Sequence, residues 1–66
     1  MTITLNGRSH TIAESASLQK LIEQFCRDTR HVIAEVNGAI VKNPQWPQRR
    51  LQPGDTVELI NFVGGG

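Results

Sequence analysis

The stretch LQKLIEQF, Leu18–Phe25, is the one segment of this 66-residue chain with a helical period, and it limits the folds open to the rest. Leu18, Leu21, Ile22 and Phe25 fall at i, i+3, i+4 and i+7, which lines one apolar stripe along a helix. Lys20, Glu23, Gln24 and Arg27 take the opposite, water-facing side. Ser17 stands where a hydroxyl caps the first turn. Lys20 stands where a capping box would carry Glu or Gln, so that reinforcement is absent. A lone amphipathic helix must bury its stripe against another layer, and the remaining periodicity is that of strands.

Thr2–Leu5 alternates polar and apolar residues, as a half-buried strand does. Asn6-Gly7 is a strong hairpin signal, because a type I′ turn needs positive φ at both central positions. Residues 8–12 then read as the returning strand. In HVIAEVNG, Val32, Ala34 and Val36 share one face, Asn37-Gly38 is a second turn signal, and Ala39–Val41 is a short partner strand. The following KNPQWPQRR carries two prolines and reads as an irregular connection. Pro53-Gly54-Asp55 marks a further turn before a last strand over residues 56–62, with Val57 and Leu59 on one face and Glu58, Ile60 and Phe62 on the other. Both faces become apolar toward its end, as in a strand that is central in its sheet or touches a partner. The pattern predicts an α+β fold, one helix packed across one face of a small mixed sheet. A right-handed crossover then allows a strand after the helix to run parallel to the first. The predicted core is Ile3, Leu5, Ile12, Leu18, Leu21, Ile22, Phe25, Val32, Ala34, Val36, Leu51, Val57 and Leu59.

A chain this short has room for one core, and a domain of this size buries only about 60% of the surface its unfolded chain exposes. The expected organisation is one domain over residues 1–63 and a glycine tail, residues 64–66. Seven Lys and Arg against six Asp and Glu leave a formal charge of +1, which gives no electrostatic footprint for nucleic acid or a membrane surface. Arg49-Arg50 reads as part of a solvated loop. Cys26 is the only cysteine, which excludes an internal disulfide and fits a reducing compartment. No apolar run exceeds three residues, so neither a membrane span nor a signal-peptide core is present, and a cytoplasmic location is expected.

Catalysis within the chain has little to work with. A Cys26 nucleophile would need His10 or His31 as its base, and Cys26 falls at the border of the helical stripe, where a packing role is expected. Ser9 and His10 are adjacent in a strand, so their side chains point to opposite faces. Two histidines and one cysteine, scattered, have no metal-ligand spacing. Trp46, between Pro44 and Pro47, reads as a lid on one end of the core rather than a partner anchor. Phe62 shares its face with Ile60 two residues before the glycines, which suits either a docking contact or core packing.

The ending FVGGG is the remaining candidate. Gly64, Gly65 and Gly66 lack side chains and can pass a channel no wider than the backbone. Four residues beyond Phe62 can span roughly 13–14 Å when extended. An α-carboxylate has a reference pKa of about 3.3–3.7, so it is ionised at neutral pH. It can attack an activated phosphate but does not donate its acyl group until another enzyme activates it.

The NG near the start, VNGAIV in the middle, the tryptophan of the next loop, LQPGDTVELI and the closing FVGGG together resemble the ThiS family over the whole chain. These are the sulfur carrier proteins of thiamine biosynthesis, ubiquitin-like β-grasp domains. The PGD turn, strand and terminal Gly-Gly are shared with the molybdopterin sulfur carriers, while the short length and the VNGAIV-to-Trp46 segment favour the thiamine branch. The resemblance implies a β-grasp fold with no catalytic residues and no resident cofactor or metal. It implies Gly66 as the covalent attachment point, Gly64 and Gly65 as its slim approach, and Phe62 with Ile60 as part of a docking face. A ubiquitin-activating-type (ThiF-like) adenylyltransferase would use ATP and Mg²⁺ to adenylate Gly66. Persulfide sulfur from a cysteine desulfurase system would then displace AMP, and a ThiG-like thiazole synthase would accept the sulfur of the thiocarboxylate. The alternatives are delivery to molybdopterin or another acceptor, a ubiquitin-like modifier joined to lysines, and an interaction module with an inert tail.

Overall fold

The computed structural model describes residues 1–61. β1 (Thr2–Leu5) and β2 (Arg8–Thr11) form the first expected hairpin, with Asn6 and Gly7 at φ 49° and 81°, the two positive values a type I′ turn requires. Ile12 extends the hairpin by one pair, exchanging main-chain hydrogen bonds with Met1 at 2.7 and 2.8 Å. β3 (Val32–Val36) and β4 (Ala39–Val41) repeat the device around Asn37 and Gly38, at φ 54° and 86°. Between the hairpins run α1 (Leu18–Phe25) and a 3₁₀ turn, Thr29–His31, capped by the Asp28 carboxylate on the Arg30 N–H. The Arg30 side chain also grips that carboxylate, holding Asp28 well below the usual carboxylate range.

β5 (Thr56–Asn61) lies in the middle of a five-stranded sheet ordered β2-β1-β5-β3-β4. It runs parallel to β1 and antiparallel to β3. This is the mixed sheet, with a late strand parallel to the first, that the pattern predicts. α1 covers one face. Leu18, Leu21 and Ile22 meet Ile3 and Leu5 of β1, Ala34 and Val36 of β3 and Val57 of β5 in one buried cluster closed by Cys26, Trp46 and Leu51.

The irregular connection is tied to the start of the helix. Four N–H groups open any α-helix without an intrahelical acceptor. Here the Leu18 N–H donates to the Arg49 carbonyl at 2.8 Å, the Gln19 N–H to the Trp46 carbonyl at 3.1 Å and the Lys20 N–H to Ser17 Oγ at 3.1 Å. Main-chain carbonyls of the loop thus serve donors that a capping box would not reach. Trp46 is only 1% exposed, and its indole N–H donates to the Val41 carbonyl at 2.8 Å, so it closes the end of the core beneath β4.

Phe25 departs from the predicted core, being 46% exposed. The helix has only eight residues, and Cys26 leaves it in extended geometry, φ −129° and ψ 126°. That turn points the Cys26 side chain into the cluster in place of the fourth stripe position. The Phe25 ring instead meets the His10 ring edge-on, centroids 5.3 Å apart. Ile12, Val32 and Leu59 are half-buried against the cluster rather than within it.

Trp46→Phe keeps most of the ring but leaves the Val41 carbonyl without its donor, an expected loss of about 1–3 kcal/mol. Trp46→Ala adds a large cavity and should cost about 3–5 kcal/mol, enough to unfold a domain of marginal stability. Urea denaturation followed by far-UV circular dichroism checks both, and an Ala variant as stable as the parent would remove Trp46 from the core.

Candidate functional site

Strand pleating sends alternate side chains to opposite faces, so the face of the sheet away from α1 can be read from the register. On β1 and β2 this outer face carries Thr2, Thr4, Ser9 and Thr11, a band of small hydroxyls. On β5, β3 and β4 it changes character. Ile60 stands directly across from Ile33, and Glu58 across from Glu35, which in turn faces Ile40. Ile60 is 49% exposed and Ile40 65%. Three isoleucines spread over neighbouring strands form an apolar patch, and two glutamates opposite each other cross it.

Neither feature helps the free domain. Exposed isoleucines leave apolar area in water, and like charges directly across a strand pair are destabilising. A surface that costs stability and lies beside the end of β5 has the makings of a docking face. Its complement would be apolar with cationic groups placed for Glu35 and Glu58. Ile60 was legible in the sequence as a docking candidate. Ile33, Ile40 and the glutamate pair were not, because only the pairing of β3 with both neighbours brings them together.

The other candidate site residues, Phe62, Gly64, Gly65 and Gly66, lie outside the described residues. The described chain delivers them from Asn61, the last residue of β5, paired to Val32.

Side chains considered for catalysis are engaged elsewhere. His10 packs on Phe25, and His31 Nδ1 lies 3.5 Å from the Asp28 carboxylate. Cys26 is buried, and burial pushes its thiol up from its ordinary value. Arg49 approaches the buried Asp55 carboxylate at 3.8 Å, and Arg50 donates to the Ser15 carbonyl at 3.2 Å, so the basic pair braces its loop. Among the described residues no three His, Cys, Asp or Glu side chains gather where they could hold a metal ion, and no helix is long and apolar enough to cross a membrane. A groove of about 460 Å³ runs between the end of β2 and α1, with Lys20 and Arg50 among its lining residues.

A mixed five-stranded sheet with one helix across one face and a parallel pairing of first and last strands is the ubiquitin-like β-grasp fold. The ThiS family model matches residues 3–66, and the chain belongs to the ThiS family. A crystal structure described as thiamine biosynthesis protein (ThiS) from Geobacter metallireducens superposes with a TM-score of 0.85, at 30% identity and full coverage of both chains. The sulfur carrier protein ThiS of Escherichia coli is 29% identical over 66 residues, all of both chains. A thiazole synthase from Paramagnetospirillum magneticum is 30% identical over the same 66 residues, and the chain spans 20% of that protein's length. A thiazole synthase from Magnetococcus marinus is matched in the same way, at 32% identity and again over 20% of its length.

Burial of Cys26 predicts that iodoacetamide modifies it at neutral pH at least roughly tenfold more slowly than a free thiol, since the thiolate is the reacting form. Denaturant should restore the ordinary rate. Intact-mass kinetics measure this, and a native-state rate equal to that of glutathione would reopen Cys26 as a reactive group.

Proposed function

We propose that the protein is a sulfur carrier of thiamine biosynthesis whose Gly66 carboxylate is the covalent attachment point. The observation that carries this reading is the family match, which runs through to Gly66. The exposed Ile33, Ile40 and Ile60 patch, on the strands beside the route to that residue, supports it. The domain, residues 1–63, presents the surface, and Gly64 to Gly66 form the slim approach into a partner's site.

The chemistry follows from what a carboxylate can do. Its oxygen attacks the α-phosphate of Mg²⁺-bound ATP in a ThiF-like adenylyltransferase, pyrophosphate leaves, and the carbonyl of Gly66 becomes an acyl-adenylate. A persulfide sulfur, supplied by a cysteine desulfurase system, attacks that carbonyl and expels AMP. A thiol then cleaves the sulfur–sulfur bond and leaves a thiocarboxylate on Gly66. A ThiG-like thiazole synthase accepts the sulfur as it closes the thiazole ring. Two relatives named thiazole synthase contain a stretch matching this whole chain, and joining of carrier and synthase in one polypeptide supports their association here. These are reactions of the cytoplasm, and the carrier is a co-substrate of the partner enzymes rather than an enzyme itself.

Intact mass spectrometry of the protein with a ThiF-like enzyme, ATP, cysteine and a desulfurase tests the assignment. The expected result is a mass gain equal to replacing one oxygen by sulfur, localised to Gly66 and lost when Gly66 is deleted. An isopeptide bond to a lysine would instead identify a modifier, and no change beside an active control carrier would identify an inert tail.

The docking face gives a second test. Ile60→Thr, which keeps a β-branched side chain at this half-exposed position, should hold the melting temperature within a few degrees but raise KM for adenylation several-fold, as loss of an interface anchor does. Phe62→Ala should act in the same way, through affinity rather than stability. Glu58→Lys should move the two properties apart. It turns a like-charge pair into an opposite-charge pair and raises stability by about 0.2–1 kcal/mol, while weakening the partner complex. Variants that leave adenylation kinetics untouched would remove this face from the interaction.

A further inference from the structure

We propose that Asn6 is a positioning residue for activation of Gly66, acting through Leu59 to hold the end of β5 from which the chain runs on to that residue. This inference rests on the carrier reading. The main-chain ladder from β1 to β5 ends at Leu5 opposite Val57, where the Asn6 N–H donates to the Val57 carbonyl at 2.9 Å. The first hairpin then turns away, and Leu59 would lose its neighbour on that side. The Asn6 side chain takes the neighbour's place. Its Oδ1 accepts the Leu59 N–H at 2.8 Å, and its Nδ2 donates to the Leu59 carbonyl at 3.3 Å. One amide side chain thus reproduces both groups of a missing peptide.

The turn itself does not require this. With φ 49°, position 6 suits asparagine or glycine equally, and glycine carries no amide. The second hairpin supplies an internal comparison. Asn37, at φ 54°, accepts the Thr56 N–H at 2.9 Å and donates to the Asp55 carboxylate at 3.0 Å. One asparagine therefore clamps the start of β5 and the other clamps it next to Ile60. Beyond Asn6, among the described residues only β3 pairs with the strand, through Ile33 to Ile60 and Val32 to Asn61. Without Asn6 this one-sided hold would begin two residues earlier. Ile33 and Ile40 would still dock, but the terminus would be tethered from a looser base, a defect that falls on the chemical step rather than on affinity.

The test compares Asn6→Gly with Asn37→Gly, both compatible with positive φ, in the full-length protein. For Asn6→Gly, amide exchange at Leu59 should rise and adenylation kcat should fall, each about tenfold, with KM within about twofold. Asn6→Asp keeps the acceptor for the Leu59 N–H and should recover part of kcat. Asn37→Gly should lower the melting temperature at least as far while holding kcat within about twofold of the parent. A parent-like kcat for Asn6→Gly, or equal kcat losses in both glycine variants, overturns the positioning role and leaves the carrier reading standing. A parent protein that the activating enzyme does not adenylate overturns both.

Discussion

The parallel pairing of β1 with β5 is the constraint on which the rest of the structure depends. Parallel neighbours cannot be joined by a tight turn, so a crossover must connect them. Here the crossover is nearly the whole chain: a returning strand, the helix, a second hairpin and a long loop. Placing β5 between β1 and β3 gives it two faces with different duties. Val57 is sealed beneath α1, whereas Ile60, three residues on, looks out from the opposite face. The same strand that completes the core therefore also carries the exposed patch and leads directly to the glycines.

The long loop between β4 and β5 is a structural part in its own right. It places Trp46 and Leu51 in the core and supplies two carbonyls to the opening turn of α1. It ends on Asp55, which is buried yet satisfied by the Gln52 N–H and the Asn37 amide. Leu51 also returns a hydrogen bond to the Ala16 carbonyl at 2.9 Å, so loop and helix entry are stitched together on both sides of Ser17. A helix of eight residues would be marginal alone, and this stitching together with its apolar face accounts for its presence.

Most of the architecture was legible because local signals and tertiary need coincide. Both Asn-Gly turns, all five strands, the helix and its Ser17 cap follow from period and turn chemistry, and the family resemblance holds over residues 3–66. Phe25 misled because periodicity assumes an ideal helix that continues, while the geometry of its last residue decides which side chain turns inward. The asparagine side-chain bonds to β5 span 53 residues in one case and have no local signature. The exposed apolar patch was half visible: Ile60 could be read from its strand, but its neighbours Ile33 and Ile40 belong to a face defined only by which strands lie side by side. The glutamate pair was hidden for the same reason.

The central place of β5 also governs the order in which the molecule can come into being. Until residues 56–61 have emerged during synthesis, β1 with β2 and β3 with β4 are two separate hairpins that share no edge. Isolated hairpins are marginal in water. Assembly of the sheet therefore waits for residues 56–61, and a fragment that stops short of them has neither the five-stranded sheet nor the patch of Ile33, Ile40 and Ile60 assembled on it. The exposed isoleucine patch is thus a product of the whole sheet, formed in the same event that seats the central strand.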